Sequence, residues 1–196
     1  MSIHQEVVVP VSAARVFAAL TDTEAFRALV EAHQHRVIGA VAKMLGDASN
    51  AEDVAQQVFV RVWRSAPRYE PTAKFTTWLF KITRNLVFNE LRRRKRHPVH
   101  SIDAVAEAGD LPMQYEDVGA KPPDTALLDE EMQTAIQEAI DQLPETQRMA
   151  IILRRYDEFS YEEIGEILDL SVPAVKSVLF RARTDLRERL RRYLDA

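Results

Sequence analysis

The chain contains no cysteine and only 5 glycines in 196 residues. Without thiols there is neither a disulfide framework nor thiol-based sensing. So few glycines, beside plentiful Ala, Leu, Glu and Arg, argue against a many-stranded fold, whose corners need turn chemistry throughout; they favour helices. Long apolar runs are absent as well. Val7 to Val9 and Ala150 to Leu153 fall far short of the roughly 20 residues that a membrane-spanning helix requires. The N-terminus lacks a basic flank followed by an apolar stretch, so a cytoplasmic location is expected. No glycine-rich phosphate loop, serine nucleophile elbow or catalytic carboxylate pair is present, and neither catalytic residues nor a cofactor are expected. His33 with His35 and His97 with His100 lack acidic or cysteine ligands at metal-binding spacing, so no metal is expected either.

What the chain does have is segregated charge. Its net charge is -4 with a pI near 5.8, which argues against nucleic-acid binding only if charge is evenly spread. It is not. Arg92 to Arg96 reads RRRKR, and Lys176 to Arg192 holds seven basic residues against Asp185 and Glu188. Between these patches, residues 97–131 carry nine acids against the single base Lys121. The chain alternates positive, negative, positive.

Hydrophobic periodicity predicts an all-α protein of two small helical domains. Phe26, Leu29, Val30, Val37, Ile38, Val41, Met44 and Leu45 recur at helical spacing from a start at Thr23 and Glu24, and Gly46 ends that helix. Ser49 or Asn50 caps a second helix carrying Val54, Val58, Phe59, Val62 and Trp63. Pro67 and Pro71 bracket a loop. A third helix follows to about Arg96, with Phe75, Trp78, Leu79, Ile82, Leu86 and Leu91 as its apolar stripe and a polar face elsewhere. Residues 98–125 are proline-bearing, acidic and aperiodic, and read as a flexible linker. Periodicity resumes at Leu128, Met132, Ile136 and Ile140. The domains are thus residues 23–97 and 126–196, preceded by an extension over 1–22.

The second domain ends in a helix-turn-helix. SYEE at 160–163 fits a capping box, opening a short helix over Tyr161–Leu168. Gly165 within it costs roughly 1 kcal/mol relative to alanine, so the close approach of another helix is expected there. Ser171 caps the next helix, which turns Val175, Val178, Leu179, Ala182, Leu186 and Leu190 inward. Ala174, Lys176, Ser177, Phe180 and Arg181 are left outward, suited to base edges and phosphates in a major groove, with Ser171 and Arg183 beside them. Across Tyr69 to Arg96, aromatics interleave with cations, a pattern that suits single-stranded nucleic acid.

Three motifs together resemble the extracytoplasmic-function sigma factors: AEDVAQQVFVRVW at 51–63, FTTWLFKITRNLVFNELRRRKR at 75–96, and the stretch from Leu143 to Leu190. The resemblance covers most of residues 24–192. It implies that the helix bearing Asp53, Gln56, Gln57, Phe59 and Arg61 docks on the clamp coiled coil of the polymerase largest subunit, with the beta flap as a second contact. Gln57 stands where the family usually has glutamate, and its amide still hydrogen-bonds. The resemblance also implies a pocket for a base flipped from the -10 element in the loop from Pro67 to Lys74. That loop and the polar face of the third helix, as the strand-opening surface, then supply Tyr69, Lys74, Thr76, Lys81, Arg84, Asn85 and Asn89, with Arg92 and Arg93 in the run that holds phosphates. The helix-turn-helix reads the -35 element as duplex, the acidic linker passes through the polymerase, and an anti-sigma partner is expected. Asp169 occupies a turn position that is usually a left-handed glycine, a conformation aspartate tolerates.

Two other readings compete. A stand-alone helix-turn-helix regulator binds duplex DNA without polymerase, and a protein-interaction adaptor carries its basic patches incidentally. Both leave the N-terminal motifs without a purpose.

Overall fold

The structure, a computed structural model, describes residues 22–47, 50–66, 69, 74–96 and 123–194. All secondary structure among them is helical. Helix α1 spans Thr23–Leu45. Its N-cap is Asp22, one residue ahead of the expected start, whose carboxylate accepts from the Glu24 amide at 3.1 Å. Gly46 ends it as expected, at φ 63 and ψ 20, a left-handed conformation costly for a residue with a Cβ. Helix α2 spans Ala51–Ser65. Asn50 precedes it without capping it, because its side-chain amide donates to Asp47 at 2.6 Å instead. Helix α3 spans Phe75–Arg96.

The second half begins with α4, Pro123–Asp141, and α5, Glu145–Arg155. Of the apolar stripe of α4 placed by periodicity, Ile140 is buried as expected but Met132 is exposed; Ala135 and Ala139 face inward as well, because α4 is turned toward α1 and the last long helix. Helix α6, Tyr161–Leu168, carries the full capping box: the Glu163 amide donates to Ser160 Oγ at 3.2 Å, and the Ser160 amide donates to Glu163 Oε2 at 2.8 Å. Helix α7 spans Val172–Arg189, with Ser171 Oγ accepting from the Ala174 amide at 3.4 Å and Pro173 in the first turn. A last turn, α8, covers Arg191–Leu194.

Gly165 is explained by its surroundings. An added Cβ would lie 2.6 Å from the Leu170 carbonyl oxygen and 3.8 Å from Val175 Cγ2. The close approach expected there is therefore made mainly by the backbone of the following turn, and only secondarily by another helix.

The two halves share one hydrophobic core running from Val37 to Ala182. Helix α3 is packed between α2 on one side and α6 on the other, while α1 meets α5. Phe80 and Phe159 join the halves edge to face, ring centroids 5.0 Å apart, with the Arg36 guanidinium 5.6 Å from each ring. Thr77, on the side of α3 read as polar, is buried, as is Thr83, whose Oγ1 donates to the Leu79 carbonyl at 3.0 Å. Arg148 ties the junction further, donating from Nη1 to the Met44 carbonyl at 2.7 Å and from Nη2 to the Asp141 carbonyl.

Candidate nucleic-acid interface

The outward face of α7 is set by its anchors: Val175, Leu179 and Ala182 are buried, so the helix presents Lys176, Phe180 and Arg181 to solvent. Phe180 is 71% exposed, the most exposed of the large apolar side chains among the described residues, and sits beside Lys176 and Arg181. An apolar ring there suits a thymine methyl better than water. The Lys176 ammonium lies 5.9 Å above the Tyr161 ring, which keeps it at the start of the helix. The other expected members have local duties. Ser171 is the N-cap, Ser177 Oγ donates to the Pro173 carbonyl at 3.0 Å, and Ala174 is half-buried. Arg183 is exposed but turns toward a groove between α5 and α7 that it lines with Ile151, Arg155 and Leu186.

On α3 the structure divides the expected strand-opening residues into two groups. Lys74 pairs with Glu163 at 2.9 Å and Lys81 with Asp169 at 2.8 Å. Arg84 pairs with the other oxygen of Asp169 and donates from Nε to the Ile167 carbonyl at 3.0 Å. Asn85, Asn89, Arg92 and Arg93 face solvent, and Thr76 is half-buried. Bonds from Lys81 and then Arg84 hold the Asp169 carboxyl below its usual range. Burial alone would raise Glu163, but the bonds from Lys74 and the Ser160 amide outweigh it and leave that carboxyl low too.

The basic run is likewise structured. Arg93 donates twice to Glu90, both at 2.8 Å, and Arg94 reaches Glu90 at 3.1 Å and Asp47 at 3.3 Å. Lys95 crosses to Glu145 at 2.6 Å, and Arg92 donates to the Phe88 carbonyl at 3.2 Å. Tyr69 is buried, its ring 4.7 Å from Trp78 and 6.3 Å from Phe75, and burial raises its phenol. Its ring is tilted against Trp78 and edge-on to Phe75. The rest of the loop, residues 67–68 and 70–73, lies outside the described residues, as do the extension over 1–21 and linker residues 97–122.

The outer face of α2 exposes Asp53, Gln56, Gln57 and Arg61. Phe59 corrects the expected set: it is buried among Val58, Val62 and the rest of the core, so it supports this face from beneath. Two apolar side chains not in the expected set are exposed on this helix as well. Val60 is 49% exposed and Trp63 40% exposed, with Trp63 edge-on to Phe26 at 4.8 Å. The signal was available for Val60, which lies four residues after Gln56 and three after Gln57 and so shares their face.

Among the described residues no three His, Cys, Asp or Glu side chains are grouped to hold a metal ion, and no helix is long and apolar enough to cross a membrane.

Comparison with known proteins gives concordant results. The family model for sigma-70 region 2 matches residues 29–97, and that for sigma-70 region 4 matches residues 133–186. The ECF RNA polymerase sigma factor SigW of Bacillus subtilis is 34% identical over 172 residues, covering 87% of this chain and 91% of the relative. The ECF RNA polymerase sigma-E factor of Escherichia coli is 35% identical over 167 residues, covering 83% of this chain and 84% of the relative. Among solved structures, the sigma factor RpoE of Bartonella quintana, crystallised with the anti-sigma factor NepR, superposes with a TM-score of 0.64 at 26% identity, over 85% of this chain and 96% of that one.

Proposed function

This chain belongs to the sigma-70 family, as a sigma factor of the extracytoplasmic-function type, and from that premise we propose how its exposed faces divide the work. It is a transcription initiation factor that directs RNA polymerase to promoters, a regulatory role rather than an enzymatic one. In our reading it acts in the cytoplasm and has no catalytic residues of its own. Residues 23–97 form the unit that binds core polymerase and opens the -10 region. Residues 126–196 form the -35 reader, and residues 98–125 connect them within the polymerase.

Docking falls to the outer face of α2, where Asp53, Gln56, Gln57 and Arg61 surround the exposed apolar atoms of Val60 and Trp63. A polar rim around a small apolar centre is the usual anatomy of a specific protein contact. The -10 strand is taken by α3: Asn85 and Asn89 offer amides to base edges, and Arg92 and Arg93 follow the phosphates. Lys74, Thr76, Lys81 and Arg84 complete that surface, with Tyr69 and Trp78 as its aromatic floor. In the major groove of the -35 element, Lys176, Phe180 and Arg181 read the duplex, while Ser171, Ala174 and Ser177 set the helix start and Arg183 flanks it. A relative's crystal structure with an anti-sigma factor supports assigning an anti-sigma partner here as well.

The observation that carries the reading is the presence on one chain of a helix-turn-helix face and a separate amide-and-arginine face on α3. A stand-alone regulator has a use for the first only. Reconstituted transcription tests this. With core polymerase the chain should yield a transcript from its promoter and permanganate-reactive thymines at -10. Asn85→Ala and Arg92→Ala should reduce that reactivity severalfold with core affinity unchanged. Specific duplex binding by the free chain at the same affinity as the holoenzyme would count against the reading.

A further inference from the structure

Glu90 is the only acid in the sequence of α3, and the basic run that closes the helix is organised around it. Arg93 turns one edge of its guanidinium to Glu90, donating from Nε to Oε2 and from Nη2 to Oε1, both at 2.8 Å. Glu90 Oε1 also accepts from Arg94 Nε at 3.1 Å. Arg94 in turn donates to the Leu45 carbonyl at 3.5 Å and to Asp47 at 3.3 Å, which ties it to the end of α1. The contacts therefore run outward from that end, through Arg94 and Glu90, to Arg93. Exposure rises along the way, from 15% for the Glu90 side chain to 67% for that of Arg93. Bonds from Arg93, opposed by burial and reinforced by those from Arg94, hold the Glu90 carboxyl below its usual range, so it is charged at neutral pH.

A negative charge within a surface that follows phosphates is expected to weaken it. The geometry here favours the opposite effect. A free arginine side chain samples many rotamers, and fixing one on a partner costs binding strength. Arg93 is fixed beforehand. Its guanidinium carries N–H donors on two edges, and Glu90 occupies only the edge formed by Nε and Nη2, which leaves Nη1 for an anion. Arg92 and Arg96 have no such anchor: each donates to a carbonyl of its own helix, Phe88 at 3.2 Å and Arg92 at 3.3 Å. We propose that Glu90 is a positioning residue, holding Arg93 in the orientation in which its guanidinium takes a phosphate of the -10 strand, so that this carboxylate strengthens DNA binding although its charge opposes it. The inference rests on the reading of Arg93 as a phosphate contact. Repulsion between carboxylate and phosphate acts across the cation that binds both, in an exposed setting where water and salt screen it, so the gain from ordering prevails. Arg94 is the strut behind Glu90 and contributes to DNA binding only through it.

The sign of one substitution's effect separates the two roles. Binding of the holoenzyme to a fork-junction fragment of its promoter is measured across a range of salt, with core polymerase saturated. Glu90→Gln removes the charge and the double acceptor but keeps helix propensity and an oxygen for Arg94. It should weaken binding about threefold to tenfold, the cost of ordering one free arginine on the DNA, and lower the salt slope. Arg93→Ala should weaken binding at least as much and lower the slope by about one. In the Arg93→Ala background Glu90→Gln should add nothing, because its effect passes through Arg93. Arg93→Lys keeps the charge but cannot hold a carboxylate on one edge and a phosphate on the other, so its loss should match that of Glu90→Gln. Unchanged or tighter binding in Glu90→Gln marks a carboxylate that does not orient Arg93 and overturns the proposal. A Glu90→Gln loss that persists in the Arg93→Ala background, or full binding by Arg93→Lys, overturns it as well. Unchanged binding in Arg93→Ala overturns the phosphate reading itself, and the proposal with it.

Discussion

The helix-turn-helix offers a sharp test of packing against propensity at Gly165. In an open helix, replacing glycine by alanine stabilises by up to about 1 kcal/mol. At position 165 the new Cβ would lie 2.6 Å from the Leu170 carbonyl oxygen. Carbon and oxygen normally approach no closer than about 3.3 Å, so the turn has to move by about 0.7 Å. It cannot do so freely, because the Asp169 and Leu170 amides both donate to the Gly165 carbonyl, the latter at 2.9 Å. Overpacking of this kind costs about 1–3 kcal/mol, and after a propensity gain of about 1 kcal/mol a net loss of up to about 2 kcal/mol remains. With a urea slope of about 2 kcal/mol per molar, the midpoint for Gly165→Ala should fall, by up to about 1 M. Displacing the turn also tilts the Ser171 cap and α7, so holoenzyme affinity for the -35 duplex should fall together with stability. Gly39→Ala in α1 is the matched control, since nothing lies within 4 Å of its added Cβ. Its midpoint should rise. If Gly165→Ala also raises the midpoint, the packing account of the turn is wrong.

Other expectations follow from the same contacts. Burial raises Asp157 from 3.8 to about 6, only partly opposed by Arg36 and Lys43 of α1. The folded state therefore binds more protons than the unfolded one between these values, and this carboxyl makes stability fall as pH rises from about 4 to about 7, by roughly 3 kcal/mol in all. Asp157→Asn should abolish that component, read as the difference between the two urea midpoints across the range; parallel pH profiles would refute it. For the -35 face, Lys176→Ala and Arg181→Ala should each weaken holoenzyme binding, and the one that contacts phosphate should lower the salt slope by about one. Phe180→Ala should relax base preference at a single promoter position, measured by selection from a randomised -35 library. On α2, Val60→Asp should weaken core binding at least tenfold without moving the urea midpoint, because its exposed side chain leaves the core intact; an unaltered affinity would remove Val60 from the docking face.

Local signals along the chain were enough for most of the architecture. The stop at Gly46, the capping box of Ser160 and Glu163, the Ser171 cap and the inward set Val175, Leu179 and Ala182 all depend on contacts within a few residues, so periodicity and capping chemistry reveal them directly. The outward position of Lys176, Phe180 and Arg181 then follows from helical geometry alone, and the order of the motifs was enough to identify the family. Errors arose where burial depends on what packs from elsewhere. Phe59 was read as a docking residue but is core, and Trp63, one of the helix's apolar residues, is 40% exposed, because only the placement of α1 and α3 decides which edge of α2 is covered.

The polar side of α3 shows the division most clearly. Its composition and spacing determined that Lys81, Arg84, Asn85 and Asn89 belong to a hydrophilic face of one helix, with Lys74 just ahead of it. Tertiary structure alone decided that Thr77 and Thr83 are buried and that three of the cations are neutralised by Glu163 and Asp169, residues about 90 positions away in the chain. Amphipathicity is a property of a single helix, whereas an ion pair between two halves depends on distance in space, which hydrophobic pattern does not encode.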